Sequence, residues 1–359
     1  MSYPKLKVNL EKLSHNIETV IGKCREKGID VCGVVKGFNG LGPAVNRFID
    51  AGCSQIGTSR LDQIKDFRES GITCETLLLR IPMISEADDV VRYADMSLNS
   101  EVEVLKALDE AAGRQGKVHK VILMADLGDL REGFWDRQEL VECAAMVESM
   151  KNLHFSGIGT NLGCYGSIRP DKDKMNSLIS IGDEIEKAIG RRPEIVSGGA
   201  TSSYPLVMDD EMPDGINHLR IGEGIICSYD LPEIWGLDMD DLANDVFTLE
   251  AEIIEVKNKP THPVGEIFID AFGQKPVYED RGIRRRAITT TGKLDFALND
   301  KIFPVDEGIA VIGSSSDHLI LDVEDAARET AVGDIVTFRL SYPSLMYLSN
   351  DKYVTVEYI

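Results

Sequence analysis

The 359-residue chain has no cysteine pair at CxxC spacing, no uninterrupted apolar run approaching 18 residues, no repeat of fixed period and no low-complexity tract. Each absence removes a class of protein. Its seven cysteines (Cys24, Cys32, Cys53, Cys74, Cys143, Cys164, Cys227) are scattered, several inside apolar runs, and read as reduced thiols of a cytoplasmic protein. The start of the chain passes into Lys7-Val8-Asn9-Leu10 without an apolar signal core. Neither export nor a membrane span is expected. Without a repeat there is no solenoid. Basic side chains are also short: 39 Lys and Arg against 60 Asp and Glu leave a net charge of -21. That balance argues against a nucleic-acid or anionic-membrane partner, and its field favours cationic substrates.

What is present is an ordinary globular composition, 43% hydrophobic and 28% charged, on a chain long enough for two domains or for a barrel with an appendage. One stretch stands out. Val31-Cys-Gly-Val-Val-Lys36-Gly-Phe-Asn-Gly-Leu-Gly42 reads as a buried strand that ends in a lysine and then in small residues. Burying an ammonium costs several kcal/mol unless it is paired, neutralised or covalently engaged, so Lys36 is a candidate for chemistry. Its structural alternative is a lysine snorkelling to solvent.

Around it, short apolar strands alternate with amphipathic helices. The strands are Val31–Val35, Gln55–Thr58, Thr76–Ile81, Met96–Asn99, Lys120–Asp126, Phe155–Asn161, Glu194–Gly198 and Leu219–Gly222. The helices include Leu10–Lys27, Leu61–Ser70, Glu101–Ala112, Gln138–Met150 and Lys172–Ile189. Eight such units predict a (β/α)8 barrel over residues 10–233, with chemistry at the C-terminal strand ends. After about residue 233 strand-like runs dominate: Thr248–Lys257, Glu266–Asp270, Arg286–Thr290, Ile309–Ile312, Leu319–Val323, Ile335–Leu340 and Tyr353–Tyr358. Residues 234–359 therefore read as a mostly β domain, with residues 1–9 as a candidate extra strand.

Two glycine turns follow the last barrel strands. Ile195-Val-Ser-Gly-Gly-Ala-Thr201-Ser202-Ser203 places two glycines and then hydroxyls at a helix start, a pattern that serves either phosphate or ordinary capping. Leu219-Arg220-Ile221-Gly222-Glu223-Gly224 adds a second turn beside an arginine. Adjacent turns of this kind match the phosphate site that barrels often build there.

Together with Val34-Val-Lys36, Leu78-Leu-Arg80-Ile-Pro-Met83, Asp126-Leu-Gly-Asp-Leu-Arg131-Glu-Gly133, Asp270-Ala-Phe-Gly273 and Ser315-Ser-Asp317-His-Leu, these motifs span nearly the whole chain. The set resembles the fold type III pyridoxal phosphate enzymes, the alanine racemase superfamily, and within it the alanine/ornithine racemase branch. The resemblance implies a barrel followed by a β domain, pyridoxal 5'-phosphate as cofactor, no metal, and a homodimer with sites at the subunit interface. It implies that Lys36 carries the cofactor and serves as one Cα acid/base group. Arg131 steadies the cofactor's phenolic oxygen, Arg220 faces its pyridine nitrogen, and Thr201, Ser202, Gly222 and Glu223 fall where the phosphate is held. Asn161 occupies the slot of a pocket histidine.

Racemisation needs a second acid/base group. In alanine racemases that group is a tyrosine, and the corresponding stretch here reads Thr291-Gly292-Lys293-Leu294-Asp295, with Lys293 in the tyrosine's place. Cys164, Tyr165, Ser316 and Tyr342 are weaker substitutes. Ser316-Asp317 resembles the Cys-Asp pair by which related decarboxylases meet a distal amine, which implies ornithine or a close basic amino acid as substrate. A decarboxylase of a basic amino acid and a non-catalytic pyridoxal phosphate carrier remain as alternatives. Residues 234–359 weigh against the carrier, whose known forms are single barrels.

Overall fold

Apolar spacing decides each element. In the helix Leu10–Glu26, Leu13, Ile17, Val20, Ile21 and Cys24 are buried at steps of three and four, with charged residues between them. The helices Arg137–Ser149 and Lys172–Ile189 start at Asp136 and Asp171, whose carboxylates accept the N–H groups of Glu139 and Lys174 at 3.0 and 2.7 Å. The barrel strands bury almost every residue, as parallel strands covered on both faces do.

The computed structural model describes residues 3–359. It divides into two compact units, Leu13–Leu242 and a second made of the stretch up to Lys12 with Ala243–Ile359. The second unit's main part thus begins at 243 and not at 234, because the helix Asp230–Trp235 and the residues after it fold with the first unit.

β1 (Lys5–Val8) belongs to the second unit. The first unit contains β2 (Asp30–Val34), β3 (Gln55–Thr58), β4 (Thr76–Leu78), β5 (Met96–Asn99), β6 (His119–Ala125), β7 (Leu153–Thr160), β8 (Ile195–Ser197) and β9 (His218–Ile221). These eight run parallel and close into a barrel, with β2 paired to both β3 and β9. Alternation along β6 separates two cores: Val121, Leu123 and Ala125 pack among residues of the helices, whereas Ile122 and Met124 join Cys32, Leu77, Met96 and Leu98. The seven cysteines are free thiols.

Two further helices, Gly42–Asp50 and Ala87–Tyr93, complete the alternation where the sequence reading has none. Among the described residues no helix is long and apolar enough to cross a membrane.

His119 on β6 is 2% exposed and lies 2.8 Å from the Ser97 hydroxyl. Burial holds its imidazole down to about 4. The unfolded chain takes up this proton near pH 6.5 and the folded chain does not, so the stability of the fold declines as pH drops through that window. The expected loss from this group is about 2 kcal/mol at pH 5 relative to pH 7. Thermal unfolding at the two pH values checks it: His119→Gln should show a smaller acid-induced drop than the parent, and an equal drop would contradict it.

The second unit is built on β10 (Phe247–Pro260), which pairs along its first half with β1 and with Ile335–Leu340, and along its second half with β11 (Ile283–Thr289). A register shift between Ile253 and Glu255 divides the two halves. β12 (Ile302–Pro304), β13 (Ala310–Ser314), β14 (Leu319–Asp322), β15 (Ile335–Leu340) and β16 (Thr355–Tyr358) complete the sheet, with the order β12-β15-β10-β11-β14-β13 and β1 between β10 and β16.

One expected strand is absent. Glu266–Asp270 pairs with nothing, because Asp270 Oδ1 accepts the N–H groups of Phe272 and Gln274 at 2.9 and 2.8 Å and curls the chain into a turn. Phe268 and Ile269 are left 75% and 56% exposed.

Candidate active site

β2 delivers its chain end into a short turn. Val35 N–H donates to Gly57 O at 2.9 Å, and Lys36–Phe38 then forms one 3-10 turn closed by Asn39 in the left-handed region. Lys36 is therefore fixed at a C-terminal strand end and half-buried. Its ammonium is disfavoured by burial first and then by the Arg131 and Arg220 guanidinium groups, with Cys164 and Glu132 opposing. The unprotonated amine is favoured relative to that of a free lysine.

Arg131 comes from the loop after β6. Asp126 Oδ1 accepts the N–H groups of Gly128 and Leu130 at 2.8 and 3.1 Å, which curls the loop. Gly133 returns the chain to the barrel at φ +130°, where a Cβ would lie 2.5 Å from Asp126 N. The Arg131 guanidinium is forked onto the carboxylate of Glu132 and donates to Cys164 Sγ at 2.9 Å. Asp129, 1% exposed, ties the next loop in place by accepting the N–H groups of Cys164 and Tyr165 at 3.3 and 3.0 Å.

Arg220 lies inside β9 and is 4% exposed. It donates to Ser197 Oγ and, at 2.7 Å, to Thr160 O. Burial, then Arg131, lower its guanidinium to about 10, which leaves it charged at neutral pH. Asn161, one residue beyond β7, has a buried amide nitrogen without a partner.

The two glycine turns lie against each other. Thr201 opens a short turn after β8, and its hydroxyl accepts the N–H of Gly224 at 3.2 Å. Ser202 donates its hydroxyl to Leu162 O at 2.6 Å, so that group braces a neighbouring loop. The N–H groups of Thr201 and Ser202 begin the turn and have no acceptor within it. Gly222 passes so close to β2 that a Cβ would sit 2.5 Å from Val34 O. Glu223 follows, its carboxyl pushed up to about 7 by burial and then by Asp230, with Lys36 opposing.

Three expected site residues lie in the second unit and meet there. Gly292 packs on the turn after β13, where a Cβ would be 2.2 Å from Ser316 O. The N–H groups of Lys293 and Leu294 donate to Ser315 O and Ser316 O, each at 3.0 Å. Asp295 clasps the turn by accepting from the Thr291 hydroxyl and the Gly292 N–H at 2.7 and 2.9 Å. Lys293 Nζ sits 3.9 Å from the Phe272 ring centroid. Ser316 donates to the carboxylate of Asp317, which is exposed at the hairpin tip. Among the described residues no group of three or more His, Cys, Asp or Glu side chains is placed to hold a metal ion.

Glu132 and Asp129 are the polar members that sequence reading does not single out. The available signal is the acid directly after Arg131 and the Asp126-Leu-Gly-Asp129 spacing; the Glu132 contact is local, whereas Asp129 reaches a loop some 35 residues on.

The profile of a family described as alanine racemase, N-terminal domain, matches residues 8–230. The chain is 40% identical over 355 residues to an ornithine racemase of Acetoanaerobium sticklandii, with 99% of each covered. It is 38% identical over 358 residues to a lysine racemase of Thermotoga maritima, covering 100% of this chain and 99% of the relative. Among solved structures, an alanine racemase of Clostridium difficile superposes with a TM-score of 0.77 at 16% identity, covering 100% of this chain and 96% of the other. That likeness concerns the fold. On the profile match and the two relatives, the chain belongs to the alanine racemase N-terminal domain family.

Proposed function

We propose that the chain is a pyridoxal 5'-phosphate-dependent racemase of a basic amino acid, ornithine by preference, working in the cytoplasm as a homodimer. The observation that carries this reading is the Lys36 amine, disfavoured as a cation by burial and two arginines at a barrel strand end, in a chain 40% identical to an ornithine racemase.

The donor set suits this cofactor. A phosphate dianion asks for N–H and hydroxyl donors, and the adjacent turns at Thr201, Ser202, Gly222 and Glu223 offer backbone N–H groups and the Thr201 hydroxyl. The unpartnered amide nitrogen of Asn161 and the guanidinium of Arg131 supply donors for the ring's polar edge. Arg220 would take the ring nitrogen. When bound, pyridoxal 5'-phosphate supplies an aldehyde that captures an amine and a ring that draws electrons from Cα.

Lys36 Nζ, whose protonated form burial disfavours, takes the Cα proton of one enantiomer. The partner subunit's Lys293 serves as the second carrier and returns a proton at Cα. Arg220 keeps its own protons at neutral pH, so a pyridine nitrogen held by it would not be protonated from this residue and electron withdrawal would be weak. Weak withdrawal favours prompt reprotonation over longer reactions at Cα.

Asp317 is the group for the distal ammonium of the substrate. A pair at about 4 Å is worth about 4 kcal/mol at an effective dielectric of about 20, less desolvation and solvent screening. Asp317→Asn is therefore expected to raise KM for ornithine roughly 10- to 100-fold. Steady-state kinetics tests it; an unchanged KM would remove Asp317 from the substrate site.

A further inference from the structure

The barrel interior holds a polar line that the proposed chemistry leaves unused. Gln55 begins β3 and His218 begins β9, and they are 4% and 3% exposed. Register places both inside the barrel: Cys32, of the interior apolar layer, lies opposite Gln55 and Arg220, and His218 lies opposite Ser197. Hydrogen bonds join them end to end. Arg220 Nη1 reaches Ser197 Oγ. His218 Nδ1 is 2.8 Å from Ser197 Oγ, and His218 Nε2 is 3.2 Å from Gln55 Oε1. Gln55 Nε2 is 2.6 Å from Glu75 Oε2, and the other Glu75 oxygen meets Lys120 Nζ at 2.5 Å.

The direction of every bond follows from chemistry. An ionised carboxylate only accepts, so Gln55 turns its NH2 group to Glu75 and its carbonyl oxygen to His218. That oxygen also only accepts, so His218 carries its proton on Nε2. Nδ1 is then an acceptor and takes the Ser197 hydroxyl hydrogen. Ser197 in turn accepts from Arg220. Burial, then Arg220, hold the His218 imidazole down to about 3, in keeping with a neutral ring.

We propose that Ser197, His218 and Gln55 form a one-way hydrogen-bond relay that ties Arg220 to the Glu75 carboxylate, with His218 fixed as the Nε2–H tautomer and acting as a positioning residue for Arg220. Thr160 O holds Nη2 while the relay holds Nη1, so the guanidinium plane is set from two sides. Aligned donors polarise one another, and a line that ends on an anion supports the positive charge at its head. The catalytic consequence rests on the reading of Arg220 given above; the relay itself does not.

The test is long-range 1H–15N correlation on protein labelled at histidine, with and without pyridoxal 5'-phosphate, His218 being assigned by its loss in His218→Gln. The relay predicts the Nε2–H pattern in both forms, unchanged from about pH 8 to about pH 5. Gln55→Leu removes the acceptor for that proton. In this variant a mixture of tautomers is expected, with kcat lowered about 10-fold and KM changed less than about 2-fold. An Nδ1–H tautomer or an imidazolium in the parent overturns the relay, as does a Gln55→Leu protein with parental tautomer and kcat. Failure of the parent to take up pyridoxal 5'-phosphate, read by absorbance, overturns instead the reading of Arg220, while the tautomer still decides the relay.

Discussion

Lys36→Ala is expected to lose racemisation by about 10³-fold or more, together with the absorbance of a covalently held cofactor. The size follows from two tasks placed on one nitrogen. On the proposed reading Lys36 both holds the cofactor and moves a Cα proton. Both tasks need the unprotonated form, which burial and the neighbouring Arg131 and Arg220 favour. Lys36→Arg is the sharper control: it keeps a long cation at the site, yet a guanidinium does not deprotonate there. It should fail as completely as alanine. Activity above about a tenth of the parent in either variant would contradict these roles.

Lys293→Met should cost about 10²- to 10⁴-fold in racemisation and leave a specific residue of activity behind. With one proton carrier gone, the enantiomer deprotonated by Lys36 still exchanges its α-proton with solvent, but the proton returns to the face from which it left. Exchange with retained configuration is therefore the expected signature. The assignment draws on position. Gly292 and Asp295 fix the turn that begins with Lys293, Ser315 and Ser316 accept its backbone donors, and Phe272 lies 3.9 Å from its ammonium. Loss of a lysine with no part in proton transfer would leave exchange and racemisation in step from either enantiomer. Equal slowing of exchange and racemisation from either enantiomer would sink the assignment.

What the sequence shows plainly is what a period or a misplaced charge can carry. Gln55–Thr58 and Met96–Asn99 are legible to the residue, being buried runs bounded by polar turns. Thr76–Ile81 is shorter in the fold and ends at Leu78, with one further backbone bond from Leu79 N–H to Thr58 O at 2.8 Å. The helix Tyr342–Asn350 is hidden because it carries no charges to mark its outer face. Glu266–Asp270 misleads for the opposite reason: its composition suits a strand, but Asp270 commits the chain to a turn.

The candidate site divides along the same line. Lys36 and Arg220 are visible because each interrupts or ends an apolar run. The loop held by Asp129 and the line from Arg220 to Glu75 join residues from different strands and loops, and no local pattern announces them.

The most direct test of the central claim is Cα proton exchange. The purified holoenzyme is incubated with L-ornithine in deuterated water, the α-proton is followed by NMR, and the enantiomers are resolved by chiral chromatography. The predicted result is exchange accompanied by D-ornithine, absent in Lys36→Ala. Exchange with configuration retained in the parent protein, or no exchange with any basic amino acid despite bound cofactor, would contradict it.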